Sequence, residues 1–174
     1  MPDLLKPGLD IVFVGINPGE RSAKLGHYYA GIGNQFWELL YESGLTQRRL
    51  SYYEDRLLLW HSIGLTDVVK WPSRSSSEIS NQEFNQGRVE LKRKLLNYEP
   101  KIVCFNGITG FCAFFGKEAR ARPGLQNFRI GTSRVFLVPS TSARNKAHYS
   151  FEEKRRWFVK LRELRDHLRE SHER

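Results

Sequence analysis

The turn Gly15-Ile16-Asn17-Pro18-Gly19 sets two glycines and a proline around an amide side chain. Such a turn bends the backbone sharply and lets it approach a ligand closely. Asn17 is neither a strong base nor a nucleophile, but its carbonyl can orient a water and its dipole can face a developing cation. An asparagine before proline is also an ordinary turn former, so the pentapeptide alone leaves both roles open. Further along, Gly26-His27-Tyr28-Tyr29-Ala30-Gly31 and Gly33-Asn34-Gln35-Phe36-Trp37 place aromatic rings and amides in a glycine-rich passage. Rings beside amides suit a flat heterocycle, which needs one face for stacking and edge groups for hydrogen bonds. By composition Tyr28 and Tyr29 serve equally well as core residues. A third stretch, Val138-Pro139-Ser140-Thr141-Ser142-Ala143-Arg144, carries three hydroxyls and ends in arginine, with Asn145, Lys146 and His148 following. Hydroxyls and backbone amides suit phosphates, and an arginine at a loop tip can enter a base stack. The same loop can simply cap the next helix.

These stretches need strands and helices to hold them. Ile11 to Ile16, Lys101 to Phe105 and Arg134 to Val138 are short, continuous apolar runs, the pattern of strands buried on both faces of a parallel sheet. Gly64 to Val69 is a further apolar run. Helices are predicted over residues 34–43, ended by Gly44, and over residues 81–97, where Phe84, Leu91, Leu95 and Tyr98 recur at helical spacing before Pro100. A shorter helix is predicted over residues 107–115. The last, over residues 151–169, carries Trp157, Leu161, Leu164 and Leu168 as its apolar face, with Lys and Arg opposite. Strands alternating with helices indicate an α/β sandwich with a mostly parallel sheet between helical layers. Ligands in such sheets sit at the carboxyl ends of the strands. The residues there are Asn17-Pro18-Gly19, Asn106-Gly107 and the loop from Pro139 to Arg144. The serine-rich segment Ser73 to Ser77 reads as an exposed loop.

A chain of 174 residues fits one domain, and splitting it would leave each half with a marginal core. No apolar run approaches the ~20 residues that a membrane-spanning helix needs. The opening residues lack the pattern of a secretory signal, so the protein is expected in the cytoplasm. Cys104 and Cys112 are too few for a disulfide framework and their spacing fits neither zinc nor a redox pair. Both read as buried small side chains. A net charge of +9 makes nucleic acid the leading partner.

Taken together, Gly15-Ile-Asn-Pro-Gly19, Gly26-His-Tyr-Tyr29, Gly33-Asn-Gln-Phe-Trp37, Phe105-Asn-Gly107 and Pro139-Ser-Thr-Ser-Ala-Arg144 resemble, in order and spacing, the mismatch-specific uracil/thymine DNA glycosylase family. The resemblance runs from about Leu5 to Leu168 and implies a three-layer α/β/α fold with a central, mostly parallel sheet and a DNA groove across its carboxyl edge. It implies that Asn17 positions the attacking water, that the flipped base stacks on Tyr29, and that Asn34 contacts the base edge. Ile16 and Tyr28 complete the implied base pocket. Ser140, Thr141, Ser142 and Ala143 would lie along the DNA backbone, and Arg144 would plug the vacated gap and face the widowed guanine. The Ser-Ala-Arg form of this loop looks more like the thymine-glycosylase branch than the enterobacterial one.

Breaking the bond between sugar and base develops an oxocarbenium-like sugar and an anionic base, so stabilising both charges is the main task. Backbone N–H groups near Ile16 and in the Tyr28-Tyr29 turn can serve the base oxygens. An amide activates water weakly, so uracil and electron-poor 5-substituted uracils should leave faster than thymine. Asp67 complicates this picture, because it stands where family members carry lysine, asparagine or another residue. Pointing into the pocket, its carboxylate can orient or polarise the water; it can instead cap a helix or pair with a basic residue. Glu20 and Arg21 also depart from the small or apolar residues common after the first motif.

The five histidines and two cysteines show no metal-ligand spacing, so neither metal nor cofactor is expected. No lysine sits in either motif to form a Schiff base, so base release without strand cleavage is expected, and Lys24 is a phosphate contact or a solvated charge. The expected partner is double-stranded DNA containing uracil or a related mismatched base, bound by a monomer that opens base-excision repair. The competing class is a non-catalytic lesion-binding module on the same fold. A nucleotide-handling protein is disfavoured because neither G-x-x-x-x-G-K-[ST] nor G-x-G-x-x-G follows the first strand.

Overall fold

The computed structural model describes residues 1–116, 121–145 and 148–173. Among them the chain forms β1 (Ile11–Gly15), α1 (Glu20–Leu25), α2 (Phe36–Glu42), a 3-10 helix (Tyr52–His61), β2 (Ile63–Asp67), α3 (Asn81–Tyr98), β3 (Ile102–Asn106), α4 (Ile108–Phe115), β4 (Gly124–Ile130), β5 (Ser133–Val138) and α5 (Phe151–His172). The strands make one sheet in the order β2-β1-β3-β5-β4, parallel except for β4.

Alternation along each buried strand divides the core into two layers. Ile11 and Phe13 of β1, Ile102 and Cys104 of β3, and Phe136 and Val138 of β5 pack on one face with α2 and α5. Val12 and Val14, Val103 and Phe105, and Val135 and Leu137 pack on the other with α3 and α4. Because both faces are covered, the strands carry no polar alternation, which is why continuous apolar runs marked them. The fold is the three-layer α/β/α sandwich expected. Cys104 lies in the first layer, whereas Cys112 is only half-buried.

Local signals set the helix ends. Ser80 with Glu83, and Ser150 with Glu153, form reciprocal capping boxes that start α3 and α5. Gly44, at φ 79°, takes the left-handed conformation just past α2. Helix α5 corrects the expected apolar face: its fully buried line is Lys154, Phe158, Leu161 and Arg165, while Trp157, Leu164 and Leu168 pack at the flank. Two basic side chains are buried because each finds an oxygen across the interface with α2. Lys154 Nζ donates to Gln35 Oε1 at 2.9 Å and Arg165 Nη1 donates to the Leu45 carbonyl at 3.2 Å.

Four parallel strands therefore end along one edge, with Gly15 beside Asp67 and Asn106 beside Val138 in the sheet register. Two amides beyond that edge extend the pairing, Val68 N–H to Gly15 O at 2.9 Å and Val69 N–H to Ile16 O at 2.8 Å. Helix α3 packs against this extension through Gly87, where an added Cβ would run into the Val68 carbonyl and touch Val69 Cγ2 at 3.4 Å. Gly87→Ala gains helix propensity, worth up to ~1 kcal/mol, but must push α3 off the β2 exit. The variant is expected to lose roughly 1–3 kcal/mol net. Thermal unfolding should show a lower Tm, by about 2–4 °C per kcal/mol for a chain of this size.

Candidate active site

The strand ends open onto a groove of about 1090 Å³. Gly15, Ile16, Asn17, Tyr28, Tyr29, Asn34 and Asp67 line it together with Ser140, Thr141, Ser142, Ala143 and Arg144, whereas His27, Gln35, Phe36, Trp37 and Lys24 do not. Ser73 to Ser76 form part of its wall, which corrects the view of that serine-rich segment as a plain exposed loop.

Gly15 is where the parts meet. A Cβ on it would overlap Asp67 Oδ1 and lie 3.5 Å from the Tyr29 hydroxyl. Only a residue without a side chain leaves room for the Asp67 carboxyl against the end of β1, while the Tyr29 hydroxyl lies at ordinary contact distance. Asp67 is 5% exposed, and its Oδ2 is buried without a hydrogen-bond partner. Among the described residues it neither caps a helix nor pairs with a base: Lys70, the cation that influences it most, donates instead to Asp3 Oδ1 and to the Tyr28 hydroxyl. Burial pushes the Asp67 carboxyl up to about 7; the Lys70 ammonium opposes the shift and the Asp3 charge reinforces it. A carboxylate that titrates near neutrality at the floor of a groove is suited to take a proton from water.

Asn17 leaves β1 and ties its amide nitrogen to the groove wall, donating to the Trp71 carbonyl at 3.1 Å and to Ser73 Oγ at 2.8 Å. Its side-chain oxygen has no partner among the described residues.

Tyr29 holds its place through backbone strain. It adopts φ 52°, a left-handed conformation uncommon for a residue with a side chain. Helix α1 clamps the turn on its far side: Arg21 Nε donates to the Ala30 carbonyl at 2.9 Å, and Ser22 Oγ accepts from the Ala30 amide at 3.0 Å. Arg21, which departs from the family's usual small residue, is thus a brace for the aromatic platform. The Tyr29 ring stacks on Phe36 at 4.0 Å and 27°, and Phe36 in turn meets Phe13 edge-on at 5.1 Å. One face of the ring is fixed by the core, and Tyr29 lines the groove with what is left. Its hydroxyl is buried without a partner of acceptable geometry, although Asn106 lies close to it, and burial pushes its ionisation well up.

Tyr28 differs from the expectation. Its ring is core, its hydroxyl donates to the Pro2 carbonyl at 2.9 Å, and its N–H is taken by Asp55 Oδ2 at 3.0 Å. That N–H is therefore not available to a base oxygen; of the amides from Tyr28 to Ala30, the one without a partner among the described residues is that of Tyr29. Asn34 Oδ1 accepts from Phe36 N–H at 3.0 Å, which leaves its NH2 group to face a ligand oxygen.

The late loop is tied down by a clasp that spans 35 residues. Asn106 Oδ1 accepts from Thr141 N–H and Asn106 Nδ2 donates to Thr141 Oγ1, both at 3.0 Å, and the Thr141 carbonyl accepts from Gln35 N–H at 2.9 Å. Thr141 is consequently buried, an anchor rather than a contact along a DNA backbone. Ser140 and Ser142 are half-buried, Ala143 and Arg144 are exposed on a short 3-10 turn, and the Arg144 guanidinium has no partner among the described residues. Lys146 lies outside the described residues. Two exposed aliphatic side chains on the rim, Ile32 at 84% and Ile108 at 54%, gave no signal in the sequence beyond their glycine-flanked positions. Among the described residues no cluster of three or more His, Cys, Asp or Glu is placed to hold a metal ion, and no helix is long and apolar enough to cross a membrane.

Comparison with known proteins decides the family. The model of the uracil DNA glycosylase superfamily matches residues 2–163. The chain belongs to that superfamily. DNA is the substrate of its chemistry and release of a base is the reaction. The fold also matches the solution NMR structure of a Methanosarcina acetivorans protein provisionally described as a uracil DNA glycosylase, with a TM-score of 0.62 at 23% identity over 94% of this chain and 96% of that one.

The Asp67 carboxyl leaves a mark on stability. The folded protein keeps a proton on Asp67 up to about 7, whereas the unfolded chain releases it near 3.8. Its contribution is full below the unfolded value and is lost as pH rises through about 7, because the folded state must then bury a charge or protonate it. Asp67→Asn keeps the shape and removes the charge. The variant is expected to raise Tm more at pH 8 than at pH 5; equal shifts at the two pH values would show that Asp67 is already ionised in the folded protein at pH 5 and that its titration is not raised.

Proposed function

We propose that this protein is a monofunctional uracil-DNA glycosylase, flipping uracil paired with guanine out of duplex DNA and hydrolysing its glycosidic bond as the opening step of base-excision repair. The observation that carries the proposal is the pairing, at the end of β1 and β2, of an asparagine whose NH2 is tied back with a buried, unpartnered carboxyl. Superfamily membership and the description of the Methanosarcina neighbour agree with this substrate.

In the mechanism, the flipped base lies on Tyr29, with the Asn34 NH2 group and the Tyr29 N–H directed at its carbonyl oxygens. The bond between the sugar carbon and N1 breaks with its electron pair staying on the base, which leaves as an anion. Water held by the Asn17 carbonyl oxygen and the Asp67 carboxylate adds its oxygen to the sugar carbon. Its proton passes to Asp67 and from there to the departing base. The charge on Asp67 also faces the cationic sugar, which compensates for the weak activation of water by an amide. Because the step depends on the leaving group, uracil is favoured over thymine. Among the described residues no lysine lines the groove to form a Schiff base, which supports release without strand cleavage. One molecule covers one lesion, so a monomer suffices. Arg144, free at the loop tip, is placed to enter the base stack beside the guanine left behind.

The test is alkali-revealed base release from a labelled duplex with one G·U pair under single-turnover conditions. Wild type should release uracil, Asn17→Ala and Asp67→Asn should each slow it on the order of 10²-fold, and neither should cut the strand before alkali. Tight binding of the duplex with no release by the wild type would replace this reading with a non-catalytic lesion-binding role.

A further inference from the structure

The segment between β2 and α3 carries no function in the scheme above, yet its contacts converge on Asn17. Which end of the Asn17 amide faces the groove is settled by hydrogen-bond chemistry. The Trp71 carbonyl can only accept, so the group 3.1 Å from it is the NH2. Ser73 Oγ, 2.8 Å from the same nitrogen, spends its single hydrogen on the Ser75 carbonyl at 2.9 Å and therefore also accepts. Both N–H bonds of Asn17 are then used, and the carbonyl oxygen is the end left toward the cleft.

The segment that supplies these acceptors is itself fixed at three points. Ser73 bridges Gly19 in parallel register, at the end of the motif that contains Asn17. Arg74 Nε lies 3.2 Å from Glu20 Oε1 at the start of α1. Trp71 Nε1 donates to Glu83 Oε1 at 3.0 Å, on the first turn of α3, where Glu83 also closes the capping box. The serine hydroxyl is half-buried and lines the groove wall rather than its floor.

We infer that Ser73 is a positioning residue for base release: by accepting from the Asn17 amide while donating to Ser75, it locks the Asn17 carbonyl oxygen toward the attacking water. The inference rests on the hydrolytic role of Asn17 proposed above. Without the serine acceptor, the amide keeps one partner instead of two and can rotate, presenting an N–H donor where an acceptor is needed. Duplex binding does not depend on this contact.

The experiment is a double-mutant cycle read in two ways. In single-turnover release from the G·U duplex, Ser73→Ala should slow the step about three- to tenfold, the worth of one neutral hydrogen bond. Affinity for a duplex carrying a non-hydrolysable 2′-fluoro-deoxyuridine should be unchanged, and Ser73→Thr should restore the rate. In an Asn17→Ala background, Ser73→Ala should change nothing further. Independently of activity, the Asn17 side-chain NH2 signal in a 15N correlation spectrum should be protected from solvent exchange in wild type and exposed in Ser73→Ala. A wild-type rate in Ser73→Ala, a loss that persists without Asn17, or a loss carried by affinity would each overturn the inference. An unprotected Asn17 amide in the wild type overturns the geometry itself. No base release by the wild type with that amide still protected would defeat the glycosylase reading, and with it the catalytic purpose of the lock.

Discussion

The missing side chain at Gly15 is the constraint on which the site depends. It lets the Asp67 carboxyl crowd against the last residue of β1, in space that a single methyl group would fill, with the Tyr29 hydroxyl alongside. Crowding leaves the carboxyl without a protein partner, and burial holds its proton to near neutrality. Both groups are buried polar atoms without hydrogen bonds, which a core arranged only for stability would avoid. The fold tolerates them because they stand at the edge of the sheet, over the groove where the substrate binds.

Everything around that point is bracing. Register pairing brings Asp67 level with Gly15, and two amides beyond the strands continue the ladder to Ile16. Helix α1 holds the strained turn that presents Tyr29, the Asn106 clasp on Thr141 fixes the root of the Arg144 loop, and α2 and α5 back the aromatic stack through Phe36, Phe13 and Phe158. The polar and aromatic groups that line the groove are thus carried on loops whose roots are tied down, while Ile32 and Arg144 stand exposed at its rim.

Much of this was legible in the sequence where one physical signal dominated. Strands buried on both faces reduce to unbroken apolar runs, and α3 declares itself by apolar residues at helical spacing before Pro100. Strand β4 left no such trace, because Gly124 to Ile130 is an edge strand buried only at its two ends. The 3-10 helix from Tyr52 to His61 leaves Tyr53, Leu57 and Trp60 exposed, so its apolar residues do not sort to one side. In α5 the expected stripe was displaced because Lys154 and Arg165 found carbonyl oxygens inside the interface, a compensation that hydrophobicity cannot register. Within the site, motifs exposed Asn17, Tyr29 and the Arg144 loop. Long-range partners were hidden: neither the Asn106–Thr141 clasp nor the hold of Ser73 on Asn17, 56 residues away, follows from local spacing. A run of serines between a proline and a helix simply looks like a loop until its acceptors are seen in place.

If Asp67 is the group that receives the proton of the attacking water, its ionisation must appear in the chemical step. The decisive measurement is the pH dependence of single-turnover uracil release from the G·U duplex, at saturating enzyme, for wild type and Asp67→Asn. The carboxylate is the active form, so the wild-type rate should climb as pH rises through about 7 and level off above it, while the variant shows a slow rate with no such rise. A wild-type rate that is flat from pH 5 to pH 9 on the order-of-magnitude scale of general-base effects, or a rise that survives in Asp67→Asn, would contradict the account.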